Sequence, residues 1–230
     1  MIGLSLKLLA KNLDKKIVHK ILRKPFLGPW MSPLEIIIVE NILKGLKPKK
    51  CLEWGSGYST LMFPKLLDRD SQWISVEHDF DWAKKIKSIN KRSNVNIFYV
   101  APNNLSWSDL YKDGAVSDLK DYIEFPCQFM PFDFILIDGR ARKDCLIKAL
   151  DLLKKGGIAV LHDAERVYYR EPLGLYKYGF SFSDYTHGKV KLWIGSNEVD
   201  IEKGFNVSQY LKLENIRKAF KKLGEITKVI

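Results

Sequence analysis

Near the start of the chain, apolar residues fall at Ile2, Leu6, Leu9, Leu13, Ile17 and Ile21, three or four apart, with lysines between them. That spacing predicts a helix over 2–24 with one apolar and one basic face. Pro25, Gly28, Pro29 and Pro33 interrupt the pattern and make the following stretch a connector. Ser32 precedes Pro33, and Glu35 stands three positions on. This is the form of an N-cap, a proline in the first turn and a reciprocal capping partner, so a helix is predicted over 33–46, ending near Gly45.

From Lys50 the period changes. Short apolar runs predict strands at 50–54, 72–77, 95–100, 132–138 and 157–162, and amphipathic segments predict helices at about 58–68, 79–90 and 141–154. The last of these runs into Lys154-Lys155-Gly156-Gly157, basic residues at the negative end of a helix with glycine beyond. Strands that are apolar almost throughout, alternating with helices, predict a parallel sheet covered on both faces. Segments 180–186 and 189–195, joined around His187-Gly188, predict an antiparallel hairpin. The stretch 101–131 is too long for an idle connection and predicts a short helix or a flap. A final basic helix is predicted over 208–225. The chain thus divides into a basic helix with its connector (1–32), a central domain (33–196) and a C-terminal basic helical extension (197–230).

Composition narrows the classes. At 230 residues, 46% of them hydrophobic, the chain can bury a substantial core. No apolar run approaches the ~20 residues of a membrane span, and the interrupted N-terminus does not read as a signal peptide. Cys51, Cys127 and Cys145 are too few and too scattered for a disulfide framework or a zinc knuckle, so a reducing cytoplasm is the expected compartment. The net charge of +11 invites a nucleic-acid partner, but its distribution argues otherwise. Residues 1–24 carry seven Lys/Arg against one acid and residues 203–230 seven against two, while the middle carries 24 of each sign. For the N-terminal helix three uses stand open: docking on its own domain or on a second subunit of a homodimer, peripheral contact with an anionic membrane, or an RNA-binding arm.

Candidate chemistry gathers around CLEWGSGYST, residues 51–60, which leaves a predicted strand and enters a predicted helix. Gly55 and Gly57 permit a tight turn and the approach of a ligand to the backbone, and the next helix offers its free N–H groups. Glu77 ends the second predicted strand, 20 residues after Gly57, where a carboxylate can accept both ribose hydroxyls of a nucleoside cofactor. A solvated strand-end acid is the plainer reading of Glu77 alone. The dinucleotide fingerprint would want glycine where Thr60 stands. Glu53, two residues before the first glycine, would repel a pyrophosphate and suit a ligand bearing an ammonium group, as S-adenosylmethionine does.

With these residues the chain resembles the class I S-adenosylmethionine-dependent methyltransferases. Glu53-Trp54-Gly55-Ser56-Gly57 is similar to their first motif and Val76-Glu77-His78-Asp79 to their second. Residues 132–139 match their fourth strand, and 152–163 the fifth with its preceding turn. The resemblance implies an α/β, Rossmann-like sheet of seven strands, mostly parallel with the last antiparallel, helices on both faces, and an extra N-terminal amphipathic helix. It implies S-adenosylmethionine held by Glu53, Gly55, Ser56, Gly57, Ser59, Thr60, Glu77, His78 and Asp138, although the family often has a third glycine where Ser59 stands.

Within the superfamily, the Asp138-Gly139 and His162-Asp163 pairs look most like the small-molecule and saccharide O-methyltransferases. Some of those hold a divalent cation such as Mg²⁺ on acids at the Asp138 and Asp163 positions, and a bound cation would acidify an acceptor hydroxyl. Against this, Ala164 follows Asp163 where an amide ligand is usual, and His162 on a strand should point away from Asp163. The alternative is that Asp138 holds the cofactor amino group, with Asp163 or a histidine as general base. For the acceptor, Arg140, Arg142 and Lys143 suit an acidic group or are a solvated helix turn, and Arg166, Tyr168 and Tyr169 lie where this fold places acceptor contacts. Trp30 and Met31 are placed to close over the cofactor. The expected function is methyl transfer to oxygen of a small-molecule or saccharide acceptor. The alternatives are an RNA methyltransferase, an NAD-binding oxidoreductase, and a non-catalytic cofactor-binding domain. Nucleic acid is not favoured, because after Asp138 the chain reads Gly139-Arg140-Ala141 and lacks the Pro-Pro-aromatic stretch of base-amino methyltransferases.

Overall fold

The computed structural model describes residues 28–108, 113–184, 190–205, 207–208 and 210. The expected helix over 2–24, the hairpin turn at His187-Gly188 and nearly all of the expected helix over 208–225 lie outside the described residues. Seven strands form one sheet: β1 (Lys50–Trp54), β2 (Gln72–Glu77), β3 (Val95–Tyr99), β4 (Phe132–Ile137), β5 (Leu153–Leu161), β6 (Tyr178–Asp184) and β7 (Val190–Ser196). Their order is β3-β2-β1-β4-β5-β7-β6, with β7 antiparallel to both neighbours and the other pairings parallel. This is the expected Rossmann-like sheet. The order reverses between β1 and β4, which opens a crevice beyond their carboxyl ends.

The helices are α1 (Pro33–Leu46), α2 (Tyr58–Met62), α3 (Phe80–Ile89), α4 (Val116–Glu124), α5 (Arg142–Leu152), α6 (Arg170–Leu173) and α7 (Ile201–Gly204). The expected helix over 58–68 is shorter because Pro64 ends the regular turns and a 3₁₀ segment, Phe63–Leu66, takes over. The long stretch after β3 does contain a helix, α4. Strand β5 starts at Leu153, earlier than its apolar run, and carries Lys154 and Lys155 on an exposed lead-in. Ser32 caps α1 as expected: its Oγ accepts from the Glu35 N–H at 3.3 Å, and the Glu35 carboxylate accepts from the Ser32 N–H at 2.7 Å.

Alternation along the strands sorts side chains into two cores. On one face Cys51, Trp73, Phe134, Leu136 and Val160 pack against α1 and α3 through Leu34, Ile38, Ile42 and Ile86. On the other, Leu52, Trp54, Ile74, Ile135, Ile137 and Leu161 pack against α4 and α5 through Tyr122, Ile123, Cys145 and Leu146. No helix among the described residues is long and apolar enough to cross a membrane.

Candidate active site

A cleft of about 420 Å³ lies beyond the β1 and β4 ends, lined by the Gly55–Ser59 loop, Glu77–Asp79, Trp82, Trp30, Asp138–Arg140, Arg142, His162 and Asp163. Backbone contact shapes it. Gly55 has φ +92°, and a Cβ there would sit 2.5 Å from the Gly139 Cα, so the loops after β1 and β4 touch with no room for a side chain. The Gly55 N–H donates to the Val76 carbonyl and the Asp138 N–H to the Trp54 carbonyl, extending the ladders into the loops.

Glu77 stands at the end of β2, where it was expected, and is nearly buried. Its Oε1 accepts the backbone N–H groups of His78 (2.8 Å) and Asp79 (3.0 Å). Its Oε2 accepts the Ser56 N–H (2.8 Å) and the Ser56 hydroxyl (3.1 Å). An ionised carboxylate has about four acceptor directions, so a ligand hydroxyl would take the place of the Ser56 Oγ. Asp79 caps α3 by accepting the Trp82 N–H, and the Trp82 indole N–H donates to the Ser56 carbonyl at 2.7 Å. Trp30, 81% exposed, stands at the cleft mouth with its ring 6.1 Å from that of Trp82. Met31, paired with Trp30 in the expectation, is instead buried in the core.

Glu53 is a correction. It neither lines the cleft nor is exposed at all. Alternation puts it on the same sheet face as Cys51, and its oxygens are taken by protein donors: Ser59 Oγ at 2.5 Å, Thr60 Oγ at 2.6 Å and Trp73 Nε1 at 2.9 Å. Thr60 Oγ in turn accepts the Gly57 N–H at 2.8 Å. Ser59 and Thr60 therefore anchor the glycine loop from below, and Thr60, fully buried, does not face the cleft. The serine in place of a third glycine is explained by this bond to Glu53. Burial lifts the Glu53 carboxyl to about 7, against the pull of its three donors.

Asp138 and Asp163 follow β4 and β5, whose ends are in register at Ile137 and Leu161. The sequence expectation that His162 turns away fails, because β5 ends at Leu161 and Asp163 adopts φ +53°, so alternation no longer applies. His162 Nδ1 lies 2.8 Å from Asp138 Oδ1 and its Nε2 3.6 Å from Glu35 Oε2. Burial opposes the charge on both partners of the Asp138–His162 pair, but their attraction prevails: Asp138 is held below the usual carboxylate range, with help from Arg142, and His162 well above the usual imidazole range. Sequence reasoning turned His162 the wrong way and gave Glu35 a capping role alone. Glu35 reads locally as a capping residue and is one, yet its carboxylate also faces His162.

Arg142, the first residue of α5, is buried between the two acids. It donates to the Gly139 carbonyl (2.9 Å), the His162 carbonyl (2.7 Å) and Asp163 Oδ2 (3.1 Å), and it lies 3.5 Å from Asp138 Oδ1. It is thus no acceptor clamp. Asp138 and Asp163 also do not fit a divalent cation: Mg²⁺ takes close octahedral oxygens, whereas here a guanidinium and an imidazolium already flank the carboxylates. Among the described residues no His/Cys/Asp/Glu cluster of three or more has metal-site geometry.

Of the expected acceptor residues Arg140 and Arg142 line the cleft, and Arg142 is taken up by the two acids. Tyr169 is fully buried, its hydroxyl donating to Asp113 at 2.9 Å, and so offers no face for stacking. Arg166 donates to the hydroxyls of Tyr168 (2.9 Å) and Tyr169 (3.3 Å), and Tyr168 is half-exposed. Lys143 pairs with Glu171 at the surface.

The sequence matches no protein-family model and no curated protein. Among solved structures, the fold is similar to the O-methyltransferase TomG from Streptomyces achromogenes, involved in tomaymycin synthesis and solved with S-adenosylmethionine (TM-score 0.55, 13% identity, covering 84% of this chain and 96% of that one). It is similar to an O-methyltransferase from Bacillus cereus solved with S-adenosylhomocysteine (TM-score 0.57, 15% identity, 84% and 90%). It is also similar to a 16S rRNA N2 G1207 methyltransferase from T. thermophilus solved with S-adenosylmethionine and guanosine (TM-score 0.52, 14% identity, 75% and 45%). The chain has the class I S-adenosylmethionine-dependent methyltransferase fold.

Proposed function

We propose that this protein is an S-adenosylmethionine-dependent methyltransferase that methylates an oxygen of a small-molecule or saccharide acceptor. The observation that carries the reading is the convergence of the Gly55–Gly57 loop, Glu77 and Asp138 on one cleft at the β1/β4 crossover. The residues fit the cofactor. Glu77 suits ribose hydroxyls once the Ser56 hydroxyl yields, and the touching glycines let a ligand lie against backbone. Asp138, ionised between His162 and Arg142, takes the ammonium-facing role first given to Glu53. Bound S-adenosylmethionine supplies an electrophilic methyl group on a sulfonium, open to in-line displacement by an acceptor oxygen. The chain's contribution is chiefly positioning. Trp30 and Trp82 wall the cleft mouth, and Arg140 stands where it can orient an anionic acceptor. The choice of oxygen is supported by two of the similar structures, both of O-methyltransferases.

Calorimetric titration with S-adenosylhomocysteine and with NAD tests the reading. Binding of the former and not the latter is expected, and NAD binding alone would overturn it. Glu77→Ala should cost roughly tenfold or more in S-adenosylhomocysteine affinity, because the Ser56, His78 and Asp79 donors lose their acceptor together. Unchanged affinity would remove the ribose role.

A further inference from the structure

Two acids closing neighbouring parallel strands in a largely buried space must be compensated by positive charge, since like charges there repel strongly. In this chain the compensation is built from side chains. Arg142, 5% exposed, reaches Asp163 Oδ2 at 3.1 Å with Nη1 and approaches Asp138 Oδ1 to 3.5 Å with Nη2. Its remaining bonds are to main chain: Nε to the Gly139 carbonyl at 2.9 Å, Nη1 to the His162 carbonyl at 2.7 Å and Nη2 to the Asp138 carbonyl at 3.5 Å. The fork therefore ties the loop after β4 to the loop after β5. These are the loops in which Ala141 (φ +48°) and Asp163 (φ +53°) hold left-handed conformations that non-glycine residues seldom adopt. On the far side His162 bridges Asp138 and Glu35.

We propose that Arg142 is the site's resident cation, standing where a divalent metal would bridge Asp138 and Asp163, and that it positions Asp138 for the cofactor so that the protein works without metal. The metal half of this stands on the geometry alone, and the cofactor half rests on the methyl-transfer reading above. Guanidinium suits the place. It is planar, permanently charged and able to satisfy two carboxylates and several carbonyls at once. Lysine would bring the charge without the fork. Arg142, held by the two acids and main-chain carbonyls, is a positioning residue.

The test uses Mn²⁺ as the metal probe, followed by its electron paramagnetic resonance signal, on the full chain. Wild type should bind no Mn²⁺ at millimolar concentrations, and EDTA should change neither its unfolding temperature nor its affinity for S-adenosylhomocysteine. Arg142→Met should take the guanidinium off both carboxylates while His162 stays on Asp138, acquire Mn²⁺ binding that Asp163→Asn in the same chain abolishes, and lose S-adenosylhomocysteine affinity by roughly tenfold, the equivalent of one charge-assisted hydrogen bond. Arg142→Lys should recover part of that affinity and bind no Mn²⁺, which also serves if the methionine variant fails to fold. One equivalent of Mn²⁺ on wild type, lost in Asp163→Asn, would overturn the proposal, as would S-adenosylhomocysteine binding that requires Mn²⁺. Failure of wild type to bind S-adenosylhomocysteine would instead overturn the methyl-transfer reading, and the metal half would be judged by Mn²⁺ uptake alone.

Discussion

Replacing Glu53 with glutamine separates a buried structural acid from a cofactor contact. In the folded protein burial lifts this carboxyl to about 7, while its ordinary value is 4.5. The folded state therefore keeps a proton that the unfolded chain has released. Stability contributed by this group is fully present below pH 4.5, declines as pH rises to about 7, and is lost above that. At about 1.4 kcal/mol per pH unit the loss comes to about 3 kcal/mol, a sizeable share of the ~5–15 kcal/mol that holds a domain folded. Glutamine can keep the local bonds: its amide oxygen accepts from Thr60 and Trp73, and its NH₂ donates to Ser59 Oγ. It cannot ionise. Urea unfolding followed by tryptophan fluorescence, with wild type and Glu53→Gln side by side from pH 4.5 to about 7, should show the wild-type advantage shrinking by about 3 kcal/mol across the window. Titrating groups that do not interact with Glu53 cancel in the difference, and Asp138, whose charge helps to raise the Glu53 carboxyl, stays ionised across the window. A difference that stays constant with pH would refute the reasoning. Because Glu53 does not reach the cleft, S-adenosylhomocysteine affinity should be little changed. Lost binding in a normally folded variant would return Glu53 to the cofactor.

Three further outcomes follow from the same structure. Gly139→Ala would drive a Cβ against the Tyr122 hydroxyl and to 2.8 Å from the Gly55 nitrogen, so it should cost about 1–3 kcal/mol, read as a lower thermal midpoint, and weaken S-adenosylhomocysteine binding. A neutral result would mean that the two loops separate freely. Ser32→Ala removes the side-chain half of the α1 capping box and should destabilise the protein by about 1 kcal/mol in urea unfolding; no change would show that the cap is idle. Deleting residues 1–24 should leave S-adenosylhomocysteine binding intact, because the residues that line the cleft run from Trp30 to Asp163. Loss of the folded domain would show that the segment belongs to the core, and liposome flotation of the full chain against the truncated one tests whether it contacts anionic lipid.

Local rules read much of this molecule from its sequence. The bounds of β1, β2 and α1, the Ser32–Glu35 capping box, the hairpin of the last two strands and the seat of Glu77 all follow from period, cap chemistry and the placement of an acid at a strand end. Each depends on neighbours within a few residues. What only the tertiary structure decided depends on which distant segments become adjacent. Alternation placed Glu53 on a face but could not say that Ser59, Thr60 and Trp73 would cover that face and take both its oxygens. Tyr169 looked available to a ligand until Asp113, far off in sequence, accepted its hydroxyl. His162 and Asp163 escape alternation because the strand stops at Leu161 and the chain turns left-handed. Arg142 resembled a solvated residue of a first helical turn. It is buried because β5 lies beside β4 and brings Asp163 and the His162 carbonyl within reach of the helix that follows β4. A buried charge takes whatever partner the fold sets next to it, and that partner is fixed by strand order rather than by spacing along the chain.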